Sequence, residues 1–169
     1  AKRALHEREL SKDPANGETI HELAFFAAME EDWDAALMYT RQYLSMPGRE
    51  NANRLNLMLW EPLILQYMGK TLEARKKLEA VVAQVKSSWF QGIGSCLLGN
   101  RSEEDLADRA GENPEYLLTA YTALGFWAEA NGTQKKALNY YREALSTYMD
   151  EWRLYEFAWE RIKKIRKES

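Results

Sequence analysis

Tyr121-Thr-Ala-Leu124-Gly125-Phe-Trp-Ala128, then Gly132, then Ala137-Leu-Asn-Tyr-Tyr141-Arg-Glu-Ala144 is the stretch that decides the fold. Apolar and small residues recur at helical spacing on both sides of Gly132, so it reads as two helices joined by a tight turn. Gly132 supplies the positive φ that closes the first helix. Gly125 and Ala137 let the paired helices approach closely, and Tyr141 fills the next layer. Working outward, Gly69 and Gly99 each close one helix just before the next begins, and Glu31 holds the same place before Asp32-Trp33. Glu31, Gly69, Gly99 and Gly132 are spaced 38, 30 and 33 residues apart. Such a period marks a repeat. Each unit is a helical hairpin that cannot bury both faces alone, so stacking supplies the core.

The remaining chain reads the same way. Helices are expected over 3–11, 15–30, 33–46, 50–68, 71–86, 88–98, 102–110, 114–130, 133–147 and 150–167. Asp13-Pro14 and Asn113-Pro114 read as an N-cap with Pro at the first helical position, where its missing N–H costs nothing. Ser102 and Thr133 read as further N-caps, and Gly48 and Gly111 as helix ends. Pro62 predicts a kink inside its helix. No segment alternates strictly between apolar and polar residues, so strands have no support. Short turns force antiparallel neighbours.

At these residues the chain resembles the tetratricopeptide repeat family, in its bacterial type. The unit at 121–144 follows the family's aromatic, Leu-Gly, then small-aromatic-small pattern, with Ala128 where an aromatic is usual. Leu23-Ala24, Ala27, Trp33 and Ala36 carry the first unit, and Leu65, Gly69, Ala74 and Leu78 the second, where Glu61-Pro62 replaces Leu-Gly. The third, Trp89 to Ala110, keeps Gly92 and Gly99 but has a truncated second helix. The resemblance implies an all-α right-handed solenoid of antiparallel hairpins, about ten helices forming a single domain over 1–169. A partial leading helix occupies 1–14, about four units occupy 15–149, and a capping helix occupies 150–169. It further implies that the first helix of each unit lines a concave groove for a peptide. The groove places fall on His21, Phe25 and Met29; Leu59, Leu63 and Tyr67; Trp89 and Ile93; and Thr122, Phe126 and Glu129. This set favours an apolar or amphipathic segment. The kinked second and shortened third units leave open whether the same residues are core instead.

Composition narrows the class. The chain has 169 residues, 46% hydrophobic and 29% charged, with net charge −3. That balance excludes a disordered chain and gives no basic excess for nucleic acid or an anionic membrane. Its uncharged runs fall short of the roughly 20 residues of a bilayer span. The opening reads as the later part of a helix, as in an excised or processed piece, and the compartment stays open with the cytoplasm favoured. The expected role is a non-catalytic interaction or adaptor module for another protein or peptide, needing no cofactor and monomeric or weakly dimeric. The alternative is a regulatory or sensor segment of a larger protein such as a kinase or transcription regulator.

Chemical motifs weigh little against this reading. His21-Glu22 begins a zinc-protease pattern, but Phe25 stands where the second histidine belongs. Gly92-x-Gly94 lacks the third glycine and the preceding strand of a dinucleotide loop, and more simply allows close helix contact. Cys96, the single cysteine, lies among apolar residues as a small buried hydrophobe. Glu30, Glu31, Asp32 and Asp34 read as turn charge at a helix start. Asn100-Arg-Ser102 and Asn131-Gly-Thr133 match glycosylation sequons but read as turns. Arg161, Lys163, Lys164, Arg166 and Lys167 complement the dipole of a terminal helix whose apolar positions are Trp152, Tyr155, Trp159 and Ile162.

Overall fold

The computed structural model describes residues 2–169. These form ten helices and, among the described residues, no strand: α1 (Lys2–Lys12), α2 (Gly17–Met29), α3 (Trp33–Ser45), α4 (Ala52–Tyr67), α5 (Thr71–Gln84), α6 (Ser88–Leu97), α7 (Glu103–Ala110), α8 (Pro114–Ala130), α9 (Gln134–Leu145) and α10 (Arg153–Glu168).

Four hairpin turns share one hydrogen-bonding scheme. Asp32, Lys70, Asn100 and Thr133 each donate a backbone N–H to the carbonyl five residues back, at 2.8–2.9 Å. The residue before each donates to the carbonyl three back, at 3.0–3.1 Å. That pair of bonds is the Schellman motif, which needs a left-handed residue at its centre. Gly69, Gly99 and Gly132 supply φ of 80°, 82° and 77°, and Glu31 adopts 61° despite its side chain. The sequence register of four equivalent turns is therefore a backbone fact.

Local caps depart from expectation in three places. Pro14 lies in a turn, and α2 is capped by Asn16, whose Oδ1 accepts from the Thr19 N–H at 3.0 Å. The Thr133 hydroxyl donates back to the Ala128 carbonyl at 2.8 Å instead of capping α9. Gly48 follows an extended Met46 that already ends α3. Asn113 and Ser102 cap α8 and α7 as expected. Pro62 sits within an uninterrupted α4.

Hairpins pair α2 with α3, α4 with α5 and α8 with α9. Close approach in the last pair is set by Gly125: a Cβ there would lie 2.6 Å from Tyr141 Cε1. Tyr141 is fully buried and its ring cannot yield. Gly125→Leu should cost roughly 1–3 kcal/mol through overpacking, read as a lower denaturant midpoint with an unchanged slope. Gly94 plays a similar part, since a Cβ there would meet Val82 Cγ2 at 2.8 Å.

Beyond the hairpins, α4 packs directly on α8, and the α6 and α7 pair lies against α5 and α8. Helix α10 contacts α9 and α8 and also returns to α2. Its ring of Phe157 meets Trp60 of α4 at 4.5 Å and Phe126 of α8 at 5.2 Å, while Trp60 meets Phe25 of α2 at 4.7 Å. One aromatic from each of four helices thus converges on the centre of the core.

Candidate interaction surface

The inner face assigned to a groove is occupied. Phe25, Leu59, Leu63, Trp89, Ile93 and Phe126 are all buried, as are His21, Thr122 and Glu129. Only Met29 and Tyr67 keep partial exposure, and Tyr67 packs on Trp33 with ring centroids 4.4 Å apart. The expectation of an open groove along these residues is corrected. The physical reason on α2, α4 and α8 is α10, whose Phe157 packs on Trp60 and Phe126 and whose Leu154 lies beside Leu59, Leu63 and Thr122, while α6, which carries Trp89 and Ile93, packs on α5, α7 and α8. Of the apolar positions expected on α10, Ile162 is buried and Trp152 and Tyr155 pack partly buried against the core, but Trp159 is 46% exposed.

Trp89 does not belong to that central cluster. It stacks on Tyr116 at 4.6 Å, and its indole N–H donates to Thr119 Oγ1 at 3.0 Å. It anchors α6 to α8.

Glu129 belongs to a buried ionic cluster that also corrects the reading of Arg161 as a surface cation. Arg161 is 1% exposed. Its Nε donates to Glu129 Oε1 at 3.0 Å, its Nη1 to Glu31 Oε1 at 2.7 Å, and its Nη2 to Glu129 Oε2 and, at 3.3 Å, to Tyr67 Oη. Tyr141 donates its hydroxyl to Glu129 Oε1 at 2.9 Å. Burial alone would lower the guanidinium pKa, but the hydrogen bonds to Glu129 and Glu31 outweigh it and push it up. Burial and Glu129 hold the Tyr141 phenol well above its ordinary value. Lys164, at 2.9 Å, and then Arg161 keep the Glu31 carboxyl below the usual range. This arrangement explains why a glutamate tolerates a left-handed turn: its carboxylate ties the α2–α3 turn to α10.

An open surface remains elsewhere. Helix α7 has 8 residues against the 17 of α8, so it cannot cover the length of its neighbour. Beside the whole of α7, from Glu103 to Ala110, lies a cavity of about 340 Å³ shared with α8 and α9. Leu106, Leu117, Ala120, Tyr121 and Leu124 make an apolar floor, and Glu103, Glu104 and Glu143 stand at its margin. Glu103 pairs with Lys136 at 3.3 Å, whereas Glu104 and Glu143 have no ion-pair partner among the described residues. Tyr140 also lines the cavity, and its hydroxyl is buried without a hydrogen-bond partner. Burial, and then Glu103, push its pKa up, so it stays a neutral donor. The truncation of this unit was visible in the sequence; the cavity beside α7 was not drawn from it.

Cys96 is half-buried, and burial with the nearby Glu103 pushes its thiol up to about 11. A thiol held that high carries almost no thiolate near neutrality. Among the described residues, no three His, Cys, Asp or Glu side chains are placed to hold a metal ion, and no helix is long and apolar enough to cross a membrane. Comparison with protein-family models, with curated proteins and with solved structures finds no match to this chain.

Proposed function

We propose that the chain is a non-catalytic protein-interaction module, built as a right-handed stack of tetratricopeptide-like hairpins, that receives an amphipathic helix in the α7–α8–α9 cavity. The repeated Schellman turns support the stacked architecture. The observation that carries the docking site is the cavity between α7, α8 and α9, where Leu117 and Tyr121 keep partial exposure over the buried Leu106, Ala120 and Leu124 and Glu104 and Glu143 stand unpaired at the margin. A helix in such a groove inserts apolar residues at i, i+3 or i+4 and i+7. Lysine or arginine along one flank complements Glu104 and Glu143. Rim charges of this kind favour encounter and register more than affinity, and their contribution falls with salt.

The test is fluorescence anisotropy with a labelled helical peptide carrying leucines at those spacings and lysines on one flank. Saturable binding is expected, weakened about tenfold by Tyr121→Glu, which buries a charge against the apolar peptide face. Glu104→Lys with Glu143→Lys should weaken it further at low salt than at high salt. Binding unchanged by Tyr121→Glu would remove this cavity as the docking site.

A further inference from the structure

The outward face of α10 carries aromatic surface that nothing in the chain covers. Tyr155, Trp159, Lys163 and Arg166 follow one another by four, four and three residues, so they share one side of the helix. The opposite side is the buried one, with Leu154, Phe157, Arg161 and Ile165. Trp159 is 46% exposed and Tyr155 is half-buried. Side chains of these two types are the commonest anchors of protein interfaces.

Charge along this face is ordered end to end. Near the middle it is spent inside the protein. Glu156 accepts from Arg153 at 2.8 Å and pairs with Lys2 at 3.6 Å, and Glu160 accepts from Lys163 at 2.6 Å. Just before the helix, Asp150 and Glu151 are exposed with no ion-pair partner among the described residues. In its last turn Arg166 and Lys167 are likewise exposed and unpaired. Glu168, nine residues beyond Trp159, falls on the other side of the helix. Glu151 stands eight residues before Trp159 and Arg166 seven after it, which is about 10–12 Å along the axis each way.

A face with an acidic end, an aromatic centre and a basic end is complementary to itself turned end for end. A foreign partner would need the same elements in reverse order, and a second copy laid antiparallel supplies them. We propose that two copies of this chain associate through α10, antiparallel and crossing at Trp159 on a two-fold axis. The two indoles are then in contact, and Arg166 and Lys167 of each copy face Asp150 and Glu151 of the other. Lys163, whose ammonium already lies 5.8 Å from the centre of its own Trp159 ring, comes to face Tyr155 of the second copy. Two-fold pairs of this kind are the commonest closed assembly. This surface goes beyond the docking cavity between α7, α8 and α9, and it stands whether or not that cavity binds a helix.

Sedimentation equilibrium of the full chain tests it. The mass should rise from monomer to dimer with concentration, with a dissociation constant on the order of 100 μM, as suits a small contact. Trp159→Ala should weaken association about tenfold or more. One charge variant, Arg166→Glu with Lys167→Glu, makes both ends acidic; another, Asp150→Lys with Glu151→Lys, makes both basic. Each alone should associate about tenfold more weakly than the parent, because like charges then meet at both ends. An equimolar mixture of the two should recover the parental affinity, since every end again meets its opposite. Recovery on mixing also distinguishes lost association from failed folding, which mixing would not repair. A monomer mass at every concentration would overturn the proposal. So would a dimer indifferent to Trp159→Ala, or charge variants that associate as the parent does or stay apart when mixed.

Discussion

Phe126→Ala should lower stability by about 3–5 kcal/mol, the cost of a large core truncation that leaves a cavity. The ring is 1% exposed and lies at the meeting point of five aromatics. Its centroid is 5.6 Å from Trp33, 5.0 Å from Trp60, 5.9 Å from Tyr67 and 5.2 Å from Phe157. These neighbours come from α3, α4 and α10, so no single side chain can swing in to fill the void. For a chain of this length each kcal/mol moves the melting temperature by roughly 2–4 °C, which puts the expected drop at roughly 6–20 °C. Urea unfolding followed by far-ultraviolet circular dichroism gives the free energy directly. A loss below about 1 kcal/mol is what a solvent-facing ring would show, and it would restore the inner face as an open surface.

What the sequence revealed and what it concealed divide by range along the chain. The turns were legible because their demand is local: a left-handed residue must follow the helix, and three glycines stand there. Glu31 could be placed with them only by its position before Asp32-Trp33, and nothing nearby explains its side chain. The explanation lies 130 residues away in Arg161. Close packing at Gly125 was legible for the same local reason, since small residues at helical spacing mean near neighbours. The fate of Phe25, Leu63 and Phe126 was not, because an apolar stripe looks identical whether a partner or the chain's own last helix covers it. Periodicity alone placed Trp159 on the buried face of α10 and Arg161 on the outer one. The structure reverses both, because Glu129 and Glu31 make burial of the guanidinium possible.

The second large effect is expected at Arg161, where charge and packing can be separated. Arg161→Met keeps much of the side-chain volume but leaves the Glu129 carboxylate, whose side chain is 5% exposed, with the Tyr141 hydroxyl as its remaining donor. Removing one partner of a buried pair costs about 3–5 kcal/mol, because the other charge is left without compensation. Replacing both partners by apolar residues of similar size is often neutral, so Arg161→Met with Glu129→Leu should recover most of that loss. The single variant should also respond to pH in a way the double variant does not. An unpaired buried carboxylate takes up a proton more readily than one in the unfolded chain, so folding then binds protons and stability rises as pH falls. The deficit of Arg161→Met relative to the parent should therefore shrink between pH 7 and pH 5, whereas that of the double variant should stay nearly flat. Denaturant midpoints measured for the three proteins at both pH values decide the matter. If the double variant is as unstable as the single one, the role of Arg161 is its packing against Trp33 and Tyr67, each about 5.7 Å from the guanidinium carbon. The ion pair would then not be what holds α10 across the inner face.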